Sequence, residues 1–203
     1  MFRAIFTSPR WTELSIWALD LETTGLDAER DAILSIGMVP IRHGAVQWAE
    51  RFYAMAHPDA GVSLTKDALR IHHIMPEEVA AAPPIERLLP DIERRVAGTG
   101  AVLLMHWKPL DMAFIDRAFR RAGRVRLRTP VIDTVVLLDR LERRQRVIDP
   151  EAAPLPTDLA GARAMFGLPI HIEHHALYDA LATAELFLVL RHRLELETLR
   201  ELR

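Results

Sequence analysis

The chain has 203 residues, 50% of them hydrophobic and 27% charged, with a formal net charge of −2 and a pI near 6.5. That length suits one domain able to bury a core, and the near-neutral balance argues against a protein that coats nucleic acid through charge alone. It has no cysteine, which excludes disulfides, thiolate zinc sites and cysteine nucleophiles.

No apolar run reaches the roughly 18 residues of a spanning helix. The opening MFRAIFTSPRW lacks a secretion signal, so a cytoplasmic protein with no membrane partner is expected. SIWALDL (15–21) reads as an apolar strand. AILSIGMVPIR (32–42) and AVQWAERFYAMA (45–56) are rich in β-formers with His-Gly as a tight turn between them, which predicts a three-stranded antiparallel meander. LTKDALRIHH (64–73) is helical in pattern, as is PIERLLPDIERRVA (84–97), entered through Pro83 and Pro84. AVLLMH (101–106) is a short buried strand, and LDMAFIDRAFRRAG (110–123) a helix closed by Gly123. TPVID (129–133) is a strand running into the helix TVVLLDRLERR (134–144), and residues 147–158 form a proline-rich surface loop. A helix over 158–166 ends near Gly167, and 176–203 read as one long helical pattern. Strands first, then alternating helices and strands, predict an α/β protein with a mixed sheet flanked by helices.

Several acids stand at the ends of buried elements. Asp20 and Glu22 close the first apolar run, one residue apart, and lead into Thr-Thr-Gly. Asp111 follows the strand AVLLMH at the mouth of a helix, and Asp179 lies inside the apolar start HHALYDALATAEL. An acid buried there without a partner is costly; the plainer reading of Asp179 is an acid that complements a helix N-terminus. Four carboxylates with a histidine nearby suit oxygen-ligated Mg²⁺ or Mn²⁺. Two such ions about 3.5–4 Å apart can clamp the attacking and leaving oxygens of a phosphodiester, while a histidine deprotonates the attacking water near neutral pH.

The order Asp20-Leu-Glu22-Thr23-Thr24-Gly25, then His106 with Asp111, then His174 with Asp179, resembles the DEDDh 3′–5′ exonucleases, the proofreading type of the DNA polymerase III epsilon subunit. The resemblance runs from about Ser15 to about Leu190. It implies a ribonuclease-H-like fold, a mixed five-stranded sheet flanked by helices, and a domain over 15–192 between an N-terminal extension (1–14) and a C-terminal helical extension (193–203). It further implies that Asp20, Glu22, Asp111 and Asp179 hold two Mg²⁺ or Mn²⁺ ions, with Asp20 shared between them. The substrate would be a single-stranded nucleic acid 3′ end, touched by Thr23 and Thr24 and also by Asp67, His72 and Trp107. For the general base, helix geometry favours His175, four residues from Asp179, and the family spacing His-x4-Asp favours His174; His174 is chosen, with His175 as fallback.

The second motif departs from the family's usual His-Asn-x-x-Phe-Asp. Here it reads HWKPLD, with Trp107 and Leu110 at the changed positions. Trp107 either stacks on a base or packs beside the sheet. Arg117, Arg120, Arg121, Arg124, Arg126 and Arg128 either follow the nucleic-acid backbone or sit as ordinary surface charges. A single-stranded DNA end is the expected substrate, with an RNA enzyme of the RNase-T or oligoribonuclease type as the alternative. A non-catalytic binding module of the same fold would be expected to lack a carboxylate or the histidine, and none is lost. A zinc site built from His171, His174 and His175 would leave Asp20 and Glu22 unexplained. A polymerase or another protein is a further possible partner.

Overall fold

The computed structural model describes residues 8–58, 62, 74–98 and 100–203. Six strands among them form one mixed sheet: β1 (Ser15–Thr23), β2 (Ile33–Arg42), β3 (Ala45–Val46), β4 (Phe52–Met55), β5 (Ala101–Met105) and β6 (Val131–Asp133). β1 is central, antiparallel to β2 and parallel to β5, and β5 is parallel to β6. β3 and β4 lie end to end along the outer edge of β2, so the sheet is five strands wide, as the ribonuclease-H-like arrangement requires.

The helices among the described residues are α1 (Pro76–Ala81), α2 (Leu89–Val96), α3 (Lys108–Arg121), α4 (Thr134–Ile148), α5 (Leu159–Met165), α6 (Ala176–Leu194) and α7 (Leu199–Leu202). Strand periodicity sorts the core into two layers. Ile16, Ala18, Val39, Ile41, Val102 and Leu104 face α4 and α6. Trp17, Leu19, Ile36, Met38, Leu103 and Met105 face α2 and α3. Both faces of β1 and β2 are therefore covered, which is why their sequences read as nearly unbroken apolar runs. The helical pattern expected over 64–73 lies outside the described residues. No described helix is long and apolar enough to cross a membrane.

Two expected elements differ in detail. The strand expected over 45–56 is split by a 3-10 turn at Trp48–Glu50. The gap falls opposite Val39 and Pro40 of β2, between the pairs Ile41↔Val46 and Met38↔Phe52. The Pro40 carbonyl accepts from the Gln47 N–H on that outer edge, and proline has no N–H to return, so the ladder cannot run through.

The long C-terminal helix also stops early. It ends at Leu194, where Glu195 takes a left-handed conformation (φ 57°), and Thr198 with Glu201 caps the separate α7. The signal was the capping-box pattern Thr-Leu-Arg-Glu. This end folds back on the beginning of the chain: Trp11 N–H donates to Glu197 O, Leu199 N–H to Pro9 O and Arg200 N–H to Ser8 Oγ. Leu202 is buried, so the expected C-terminal extension packs onto the body of the protein.

Candidate active site

Asp20 and Glu22 alternate along β1 and so share the sheet face that carries α6. A bulge follows at once: Glu22 pairs with Ser35 but Thr23 with Ile33. It turns the chain out of the sheet at the point where the acids end, a common placement beside active sites. The Thr-Thr-Gly loop is then tied to Asp31. Thr24 Oγ1 donates to Asp31 Oδ1 (3.0 Å) and accepts from the Ala32 N–H (3.0 Å), while the Asp27 N–H donates to Asp31 Oδ2 (2.9 Å). Thr23 Oγ1 donates to the Gly25 carbonyl (2.6 Å). Gly25 is needed because a Cβ there would collide with the Asp31 carboxylate. The hydroxyls of Thr23 and Thr24 thus shape the loop, which leaves the expectation that these two positions lie against the terminal nucleotide to their backbone groups.

Asp111 and Asp179 arrive from two helix starts. Asp111 stands in the first turn of α3 and Asp179 in the first turn of α6. Asp179 Oδ2 accepts from the His175 N–H (3.1 Å), and His171 Nε2 lies 3.0 Å from its Oδ1. One carboxylate oxygen each from Asp20, Glu22 and Asp179 lies within 4.8 Å of the others, the reach of a single cation. Glu22, Asp111 and Asp179 are buried.

Asp111 is not one of the three acids within that 4.8 Å reach, but its charge acts on Asp20. Burial raises the Asp20 carboxyl well above the usual range, and the charges of Asp111, Asp179 and Glu22 raise it further. Asp111 is raised chiefly by burial, against the N–H groups of its own backbone and of Leu21. Asp179 is pushed up to about 7, by burial first and Glu22 next. Such a cluster of hard oxygen donors, whose burial and mutual charge oppose ionisation of its aspartates, fits a divalent cation.

Beside the acids is an open cleft lined by Asp20, Glu22, His106, Asp158, His171, His174 and Asp179. His174 is exposed there with a left-handed backbone (φ 61°). His175, the N-cap of α6, turns its ring away and stacks on Tyr53. His106 is held between Thr134 Oγ1 (2.7 Å) and the Thr157 carbonyl (2.8 Å), and burial lowers its pKa. Asp67 and His72 lie outside the described residues.

Trp107 does not pack beside the sheet. It is 57% exposed with φ 64°, at the N-cap of α3. Asp133, which sequence reading passed over as a strand end, explains that geometry. Its carboxylate accepts from the N–H groups of Trp107 (3.0 Å), Lys108 (3.1 Å) and Val135 (3.0 Å), capping α3 and α4 together. Asp133→Ala is expected to cost about 2–4 kcal/mol, read as a lower urea midpoint at unchanged slope, because three N–H groups lose a charged acceptor.

The arginine cluster is largely committed within the fold. Arg117 donates to the carbonyls of Ala28 (2.5 Å) and Asp31 (2.7 Å) and so secures the loop after β1. Arg120 pairs with Glu29, Arg124 with Glu93 and Arg126 with Asp116.

The RNase_T family model, described as Exonuclease, matches residues 17–187. The chain belongs to this exonuclease family. As a member it is an exonuclease, a hydrolase of phosphodiester bonds. The exonuclease is 28% identical over 169 residues to the PolC-type DNA polymerase III of Staphylococcus aureus, covering 83% of its own length but 11% of the polymerase. Among solved structures, the zinc-bound E. coli ExoI–ssDNA complex superposes with a TM-score of 0.75 at 18% identity, over 91% of this chain and 42% of that one. The nuclease domain of 3′hExo, a DEDDh family member bound to rAMP, gives a TM-score of 0.70 at 16% identity, over 93% and 94%. These two likenesses establish the fold.

Proposed function

We propose that this exonuclease removes nucleotides from the 3′ end of single-stranded DNA, using two Mg²⁺ or Mn²⁺ ions held by Asp20, Glu22, Asp111 and Asp179. The observation that carries the reading is the gathering of Asp20, Glu22 and Asp179 oxygens within 4.8 Å, in a setting that disfavours ionisation of Asp20 and Asp179 unless a cation is present. When bound, the ions supply Lewis-acid stabilisation of the charge that develops on the phosphate and its flanking oxygens.

The rest of the chemistry belongs to the chain. His174, exposed in the cleft, serves as general base for the attacking water. His175 suits that role less, because its ring is engaged with Tyr53 and Tyr178. The loop after Glu22 receives the terminal nucleotide, and the exposed Trp107 is available to stack on a base, a contact worth about 1–3 kcal/mol in single-strand binders. The catalytic unit is taken as residues 15–192. The choice of DNA rests on the opening motif and on the polymerase relative, which also makes a polymerase a candidate partner. RNA is the second reading, prompted by the rAMP bound to 3′hExo.

The test is a time course on matched 5′-labelled DNA and RNA oligonucleotides with Mg²⁺, with Mn²⁺ and with EDTA. A ladder shortening from the 3′ end, faster on DNA and abolished by EDTA, is expected. Faster shortening of RNA replaces the substrate assignment. His174→Ala is expected to slow the reaction roughly 10²–10⁴-fold.

A further inference from the structure

Asp179 must meet Asp20 and Glu22 across a gap between a helix and a strand, and the sheet shows what sets that gap. In the β1–β2–β4 ladder, Asp20 pairs with Gly37 and Gly37 with Tyr53. Directly paired residues project to the same face, so Asp20 and Tyr53 flank a position that carries no side chain. The first turn of α6 occupies that position. A Cβ on Gly37 would collide with the backbone carbonyl of Ala176 and the nitrogen of Leu177. The helix therefore rests with its backbone directly on the strand, one residue position from each flank.

On the side away from Asp20 the helix start is gripped by rings. The His175 ring stacks on Tyr53 at 4.8 Å (24° between planes) and meets Tyr178 at 4.8 Å (56°), and Tyr178 stacks in turn on Trp48 at 6.3 Å. His175 makes no side-chain cap, and its Nδ1 is buried with no hydrogen-bond partner among the described residues. Ring contact holds it where a capping hydroxyl or carboxylate usually would. The same residue's N–H donates to Asp179 Oδ2 at 3.1 Å. Tyr53 is thus connected to a carboxylate of the site through one ring and one hydrogen bond.

We infer that Gly37 and Tyr53 are positioning residues: the bare strand position sets how closely α6 approaches the sheet, and the Tyr53–His175 stack sets where its first turn stops. Together they hold Asp179 in register with Asp20 and Glu22. The inference rests on the reading that these acids bind divalent cations. It predicts an effect on cation affinity beyond any effect on stability, because displacement of one ligand weakens a site that demands geometry.

The test is Mn²⁺ calorimetry alongside melting curves in EDTA for the wild type, Tyr53→Phe, Tyr53→Ala and Gly37→Ala. Tyr53→Phe keeps the stack and is expected to bind Mn²⁺ within about twofold of the wild type. Tyr53→Ala is expected to bind about 10–100-fold more weakly, with an EDTA melting shift no larger than that of Trp48→Ala, whose Mn²⁺ affinity stays near wild type. Gly37→Ala is expected to weaken binding further; if it does not fold, the Tyr53 variants decide. Wild-type affinity in Tyr53→Ala, or equal weakening in Trp48→Ala, overturns the inference and leaves the metal reading intact. A folded wild type that binds no Mn²⁺ removes the metal reading and the inference with it.

Discussion

Asp20→Asn is expected to slow hydrolysis by about 10⁴-fold or more and, in the metal-free protein, to raise the melting temperature. The loss follows from removing a carboxylate that faces Asp111, Asp179 and Glu22 at the centre of the cluster. Cation stabilisation of the transition state is worth several kcal/mol, and each 1.36 kcal/mol is a factor of about ten. The gain follows from the same geometry. Asparagine keeps the shape and cannot ionise, so it removes the repulsion that an ionised Asp20 meets from its neighbours in a site of low dielectric. Relief of about 2 kcal/mol corresponds to roughly 4–8 °C for a chain of this size. A variant that is inactive and melts lower than the wild type in EDTA at pH 8 contradicts this account, since it would make the acids structural supports.

The metal-free protein is also expected to lose stability as pH rises, which is unusual for a protein with many carboxylates. Asp20, Asp111 and Asp179 all have native pKa values above the ordinary carboxylate range. A group raised in the native state holds its proton more tightly there than in the unfolded chain. Its contribution is complete below the unfolded value, near 3.9, and is lost as pH climbs through the native one. For Asp179 that loss runs up to about pH 7; Asp20 and Asp111 titrate upward from the same starting range. His106 and His171 act in the opposite sense below about 6.5, because burial lowers their native pKa and neutral imidazole is the favoured form. The cleanest window therefore lies above about pH 6.5. Urea unfolding in EDTA should show stability falling by a few kcal/mol between about pH 6.5 and 8.5. Mg²⁺ should restore it, more at the upper pH than the lower, because the ionised ligands bind the ion. Metal-free stability that is level or rises across this window contradicts the reading.

Much of the fold and most of the acid cluster were legible because they rest on local rules. Apolar runs bounded by turns marked β1, β2 and β5. An acid pair with one residue between them on a strand must share a face, so Asp20 and Glu22 could be placed together without coordinates. Asp111 and Asp179 were visible as acids at helix starts, where burial makes a carboxylate expensive. What stayed hidden depends on partners far apart in sequence. Asp133 looks like a strand end until α3 returns Trp107 and Lys108 to it. The arginines at the end of α3 and just after it resemble a nucleic-acid track until Glu29 and Glu93 are seen to meet two of them. His171 was grouped with its neighbours, yet its ring nitrogen lies 3.0 Å from the Asp179 carboxylate. The broken edge strand was readable in principle, since Pro40 forbids a ladder bond, but only once its outward side was known.

Calorimetric titration of Mn²⁺ into the wild type and Asp20→Asn, each with a short single-stranded DNA whose last linkage cannot be hydrolysed, tests the central claim most directly. Two ions per wild-type chain and a loss of both in Asp20→Asn, with the variant still folded, is the result expected of acids built to hold a shared pair of cations. Tight binding that is the same in both proteins, or none in either, would mean that the carboxylates at the end of β1 do not form the catalytic metal site.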